Sequence, residues 1–220
     1  MASLPCADGV AKKGHACCRA GMKAELLSLI GFSISMYITP GPNNVMVSAS
    51  AANHGIGPTV PHMLGIVFGF SLMLVVVCAG LGSALLSWPV LLPLFRWGGA
   101  AWLAWLAWQI ATAPPPGDGQ ARPVLGFVGA MGFQWVNPKA WLIGVGAAGE
   151  YMAPHLPLVP QLARIFLVFL AVGLPCLLAW AALGRGAGLL LTSPVRLRTF
   201  NVAMGVLLVA SLVPVLAEGW

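Results

Sequence analysis

Residues 26–95 contain no Asp, Glu, Lys or Arg. A soluble domain is roughly 25% charged because its surface has to be wetted, and this stretch cannot supply such a surface. Over the whole chain of 220 residues only 7% are charged, while 59% are hydrophobic. An ordinary soluble enzyme, a nucleic-acid binder and a disordered tail are all excluded. What fits is a polytopic membrane protein for which the lipid bilayer is the main solvent and a permanent partner. The net charge of +6 does not restore nucleic acid as a partner, because the basic residues are scattered. The one cluster, Lys12, Lys13, Arg19 and Lys23, suits anionic headgroups beside a membrane.

Windows of about 20 apolar residues, each long enough to cross a hydrocarbon core, fall at about 26–48, 62–86, 90–112, 123–148, 158–182 and 198–217. Pro/Gly-rich punctuation separates them: Gly55 to Pro61, Ser87 to Pro93, Pro114 to Gly119, Pro154 to Pro157 and Gly184 to Pro194. The triple proline at Pro114-Pro115-Pro116 divides the chain nearly in half. Three spans on each side make the halves antiparallel across the membrane. The expected fold is therefore all-α, with six transmembrane helices arranged as two inverted three-helix repeats. A basic tail occupies 1–21, upstream of a natural start at Met22. The first repeat covers 22–112, a Pro/Gly-rich linker 113–122 and the second repeat 123–220, all within one integral membrane domain. An offset of 98 residues carries Pro40 to Pro138, Phe68 to Phe166 and Cys78 to Cys176.

In hydrocarbon every backbone polar group needs an internal partner, and proline removes one donor. Pro40-Gly41-Pro42 must break the first span, and Pro138 must break the fourth. A broken helix exposes a half-helix amino terminus, whose partial positive charge suits a carboxylate. Thr39, Asn43 and Asn44 surround the first break, while Asn137 and Lys139 flank the second. The substrate-binding and translocation residues are thus expected to be Thr39, Pro40, Gly41, Pro42, Asn43, Asn44, Asn137, Pro138 and Lys139. Carbonyls freed around Ile38 and Val136 would hold an ammonium group. An intramembrane Lys is expensive to insert, about 2.5–3.5 kcal/mol, and marks function more often than packing. None of the five acidic residues falls in mid-span, so a carboxylate proton relay is missing and a cationic cargo is disfavoured. Any proton coupling falls to Lys139, a histidine or the substrate. His62, His54 and His155 read as interfacial residues. No nucleophile motif, phosphate loop or metal-ligand spacing is present, so neither an enzyme nor a resident cofactor is expected. Cys78 and Cys176, at matching positions, offer a competing class, a membrane-embedded thiol/disulfide electron carrier.

The run Ile38-Thr39-Pro40-Gly41-Pro42-Asn43-Asn44 resembles the signature of the lysine-exporter and homoserine/threonine-exporter translocators. Pro61-His62-Met63-Leu64-Gly65, Trp97 to Trp108, and Phe133 to Trp141 are similar to further stretches of that family. The resemblance covers Met22 to about Trp220. It implies a six-helix, multi-pass carrier of the inner (plasma) membrane that exports small-molecule amino acids or close derivatives, among which the missing mid-span carboxylate favours neutral zwitterions. It also implies drive by the proton motive force, and that Pro40, Gly41, Pro42, Asn43, Asn137, Pro138 and Lys139 line the central site. A homo-oligomer is compatible with this plan. Relatives often carry Arg in the loop where this chain has Gly55-Ile56-Gly57-Pro58, and a Lys near Gln109; both are missing here.

Overall fold

Proline and glycine decide where the helices begin and end. The computed structural model describes residues 11–81, 91–113, 125–191, 193–211 and 213, without the side chains of 11–21, 91, 92 and 94–96. The linker beyond Ala113, the turn residues 82–90, Arg122 and the end of the sixth span lie outside the described residues. Among those described, every element is helical: α1 Ala11–Ile38, α2 Pro42–His54, α3 Ile56–Val76, α4 Leu91–Ala111, α5 Phe127–Phe133, α6 Pro138–Tyr151, α7 Leu158–Leu190 and α8 Pro194–Ala210. A π turn, Val77–Leu81, extends α3, and a 3-10 turn, Gln134–Val136, extends α5.

The first and fourth sequence spans are each two helices rather than one. Gly41 is fully extended (φ −170°, ψ 178°), and Pro42 opens α2 at the position where its missing N–H costs nothing. Asn137 caps α6 from an extended backbone, its side chain accepting from the Lys139 N–H at 3.2 Å, and Pro138 takes the first helical position. Among the described residues two helices are long and apolar enough to cross a membrane, Ile56–Leu81 with its π turn and Leu158–Leu190. These features are consistent with a helical membrane protein.

Two expected loops are helix instead. Only Gly55, at φ +86°, interrupts the chain between α2 and α3, and Pro58 falls in the first turn of α3, where proline is tolerated. Likewise α7 runs on through Gly184, Gly186 and Gly188 to Leu190. The reason is packing: a Cβ at Gly184 would collide with the Ser48 carbonyl, and one at Gly188 with the Ala52 carbonyl. Close helix approach at glycines four residues apart offsets their poor helix propensity. Gly65 and Gly69 on α3 repeat the device against Phe127 and Met131 of α5.

Contact order along these crossings fixes directions. Arg164, Gly173, Trp180, Gly184 and Gly188 of α7 meet Glu25, Tyr37, Ser48, Ser48 and Ala52 in turn, so α7 runs parallel to α1 and α2. Gly65 and Gly69 meet Phe127 and Met131, so α3 runs parallel to α5. The larger apolar cluster joins Ile66, Phe70, Met73, Trp141, Phe169 and Leu177, and the smaller joins Met46, Leu103, Leu106, Phe133 and Leu208. Trp102, Trp105 and Trp108 project outward from α4, exposed by 39%, 46% and 69%. That is the lipid or helix contact their spacing suggests.

Candidate functional site

The two helix breaks meet. Lys139 Nζ donates to the Thr39 carbonyl at 2.7 Å, across 100 residues of chain. That carbonyl is free because Pro42 and the extended Gly41 end α1 there. Asn44 Nδ2 ties the same end down, donating to the Tyr37 carbonyl at 2.8 Å and the Thr39 carbonyl at 2.9 Å. Asn43 and Gln134 form a reciprocal amide pair: Asn43 Nδ2 donates to Gln134 Oε1 at 2.9 Å, and Gln134 Nε2 donates to Asn43 Oδ1 at 3.2 Å. Gln134 Nε2 also donates to the Ala130 carbonyl at 2.9 Å.

Met36, Tyr37, Gly41, Pro42, Asn43, Asn44, Phe70, Asn137, Lys139, Ala140 and Ile143 enclose one cavity of about 20 Å³. That has room for about one water and none for an amino acid. Lys139 fills much of it. A Cβ on Gly41 would stand 3.0 Å from its Cδ and 3.1 Å from its Nζ. Only glycine leaves the stem that room.

Most of the expected site residues come together here, in different capacities. Thr39 contributes its carbonyl, while its hydroxyl donates back to the Ser35 carbonyl at 2.6 Å. Pro40 is exposed and Pro138 is half-buried, and both shape the breaks rather than line the cavity. The freed carbonyls differ from those expected. Tyr37 and Thr39 offer theirs to Asn44 and Lys139, and the Val136 carbonyl lies against bare Gly99 of α4. Lys139 bonds to the neighbouring break rather than reaching for the interface. His62 does not begin its span: α3 starts six residues ahead of it, and its side chain is fully buried among the helices. Cys78 and Cys176 are both free thiols.

Sequence reasoning missed Gln134, although an amide four residues ahead of Pro138 in an apolar span was a visible signal. It also missed Arg164, which pairs with Glu25 at 2.7 Å and reaches the Tyr151 carbonyl at 3.4 Å. Ser28 Oγ and Tyr151 OH share a hydrogen bond beside it at 3.1 Å.

A family model described as LysE type translocator matches residues 34–212. The cysteine/O-acetylserine efflux protein of Escherichia coli strain K12 is 33% identical over 156 residues, spanning 70% of this chain and 79% of that protein. The Shigella flexneri protein of the same description matches to the same extent. That of Escherichia coli O1:K1 is 31% identical over 155 residues, with the same coverage. No solved structure matches.

Proposed function

The chain belongs to the family of LysE type translocators and is a membrane transporter rather than an enzyme, and from that premise we propose that it exports small neutral amino acids through the junction of its two helix breaks. The observation that carries this reading is the bond from Lys139 Nζ to the Thr39 carbonyl. An ammonium group already sits on the acceptor that a substrate ammonium would use. On binding, the substrate displaces Lys139, whose charge then joins the amino termini of α2 and α6 in holding the carboxylate. The Tyr37 and Thr39 carbonyls and the side chains of Asn43, Asn44 and Asn137 take the ammonium. Pro40, Pro42 and Pro138 keep the breaks open, and Gly41 gives room. Cysteine and O-acetylserine, named for the relatives, are zwitterions with uncharged side chains. This agrees with the lack of any mid-span carboxylate here.

The six spans form two inverted repeats, 22–112 and 123–220, that rock about the junction to alternate access across the inner membrane, driven by the proton motive force. Two pairs related by the 98-residue offset touch each other, Gly41 with Lys139 and Phe68 with Phe166, whose ring centroids are 6.0 Å apart. A pseudo-two-fold axis passing between the pairs has that effect. The parallel pairings of α7 with α1–α2 and of α3 with α5 exchange under the same operation. The competing electron-carrier reading loses ground, since Cys78 and Cys176 are unpaired and the relatives are described as efflux proteins.

Cells expressing the chain and preloaded with labelled cysteine, O-acetylserine, serine or threonine test the reading. Faster loss of one of them, abolished by a protonophore, is expected. Unchanged loss of all four, with the protein confirmed in the membrane, would sink it.

A further inference from the structure

We propose that His62 is the proton-binding group of this carrier. The inference rests on the exporter reading and adds the residue that couples export to the proton gradient. His62 is 0% exposed, and among the described residues neither Nδ1 nor Nε2 has a hydrogen-bond partner. A neutral imidazole always carries one N–H and one lone pair, and buried polar groups of this kind are normally satisfied. A packing role at the same position would be met by Leu or Met without that cost. An ionisable side chain inside a membrane domain therefore points to function.

The surroundings leave few rivals. The acidic residues among those described are both exposed, Glu25 midway along α1 and paired with Arg164, and Glu150 in the last turn of α6. Lys139 bonds to Thr39 here and, in the proposed cycle, keeps its charge for the substrate carboxylate. From the helices packed on α3 come His54 at the end of α2, Cys176 and Arg185 on α7, and Tyr37 on α1 against Phe70. Arg164 at the start of α7, Tyr151 at the end of α6 and Cys78 in the π turn complete the set. None of them hydrogen-bonds to His62.

Thr59 Oγ1 donates to the Gly55 carbonyl at 2.8 Å, so in its 3.0 Å bond with Ser50 the serine is the donor. This chain of two buried hydroxyls ends on the Gly55 carbonyl at the hairpin turn and does not bond to His62. Thr59 stands three residues before His62 on the same face of α3. A positive charge on His62 in this packing would have no acceptor among the described residues, so its protonation is tied to the parting of the helices. Proton gain and loss on one ring nitrogen then follow the opening of opposite sides. Because α3 is held by α2 from one half and by α5, α6 and α7 from the other, the charge acts on the contact that must open. Phe70, two turns along the same helix, lines the junction.

The test uses the full chain in liposomes, labelled cysteine and O-acetylserine as probes, an internal pH dye and an imposed pH gradient. His62→Gln is expected to keep substrate-for-substrate exchange while gradient-driven release falls to the rate seen without a gradient, and proton movement stops. Retention of gradient-driven release and proton movement by His62→Gln would overturn the inference and leave the exporter standing. Loss of exchange as well, in Gln and Asn variants as abundant and monodisperse as the parent, would assign His62 to translocation itself and overturn its coupling role. Exchange by the parent with no response to the gradient would also overturn it. No exchange of either probe by the parent would remove the exporter reading for these substrates, and the inference with it.

Discussion

A carbon added at Gly41 would press on the Lys139 stem at 3.0 Å, so a single methyl is enough to disturb the junction. Gly41→Ala is expected to slow export several-fold at unchanged membrane abundance, read as labelled efflux beside an immunoblot. Lys139→Ala is expected to abolish it, again at unchanged abundance. A hydrogen bond to a charged group contributes about 1.5–3 kcal/mol, and the substrate carboxylate would lose that partner. Normal export by Lys139→Ala would refute its role. The prolines, asparagines and Lys139 were legible because each breaks a local rule in an apolar span. Gln134 and Tyr37 were not singled out, since their importance comes from partners elsewhere in the chain. Asn43 is 91 residues from Gln134, and Gly173, against which the Tyr37 ring packs, lies on α7.

Among the helices, the glycine pairs Gly65/Gly69 and Gly184/Gly188 separate two effects that sequence alone confuses. Glycine reads as a loop signal because it weakens a helix, and the end of α7 was read that way. Where a neighbouring backbone comes within reach of the missing Cβ, the same residue is a contact. Gly184 and Gly186 make a matched comparison on one helix: a Cβ at 184 meets the Ser48 backbone, while one at 186 meets nothing within 4 Å. Gly184→Ala is expected to lower stability by about 1–3 kcal/mol through overpacking, while Gly186→Ala is neutral or slightly stabilising through helix propensity. Thermal unfolding in detergent reads both. Asn137→Ala should cost about 0.5–2 kcal/mol by removing the cap of α6, and it should loosen Lys139 as well.

Across the whole molecule, ties between the first and second halves sit at both ends of α7. At one end Arg164 holds Glu25, with Ser28 and Tyr151 beside them. At the other, Asn53 and Asn201 exchange amide bonds at 2.8 and 3.0 Å. The ion pair is partly exposed and contributes at most about 1 kcal/mol to stability, so Glu25→Gln should leave the melting temperature nearly unchanged. If the halves rock, cysteines at 53 and 201 joined by a short cleavable reagent, in a chain whose own cysteines are replaced, should stop export, and cleavage should restore it. Full export while cross-linked would exclude rocking at that end. These ties join residues 139 and 148 positions apart, beyond any local pattern. The sequence could therefore suggest two halves but not where they clasp.

The junction also bears on the electrical behaviour of an idle copy. At its narrow polar point the molecule keeps a fixed positive charge of its own, bonded to the nearest oxygen, with space for about one water. Potassium or sodium arriving there meets like charge and an acceptor already taken. If export runs through this junction as proposed, a membrane crowded with idle copies holds its voltage until cargo arrives.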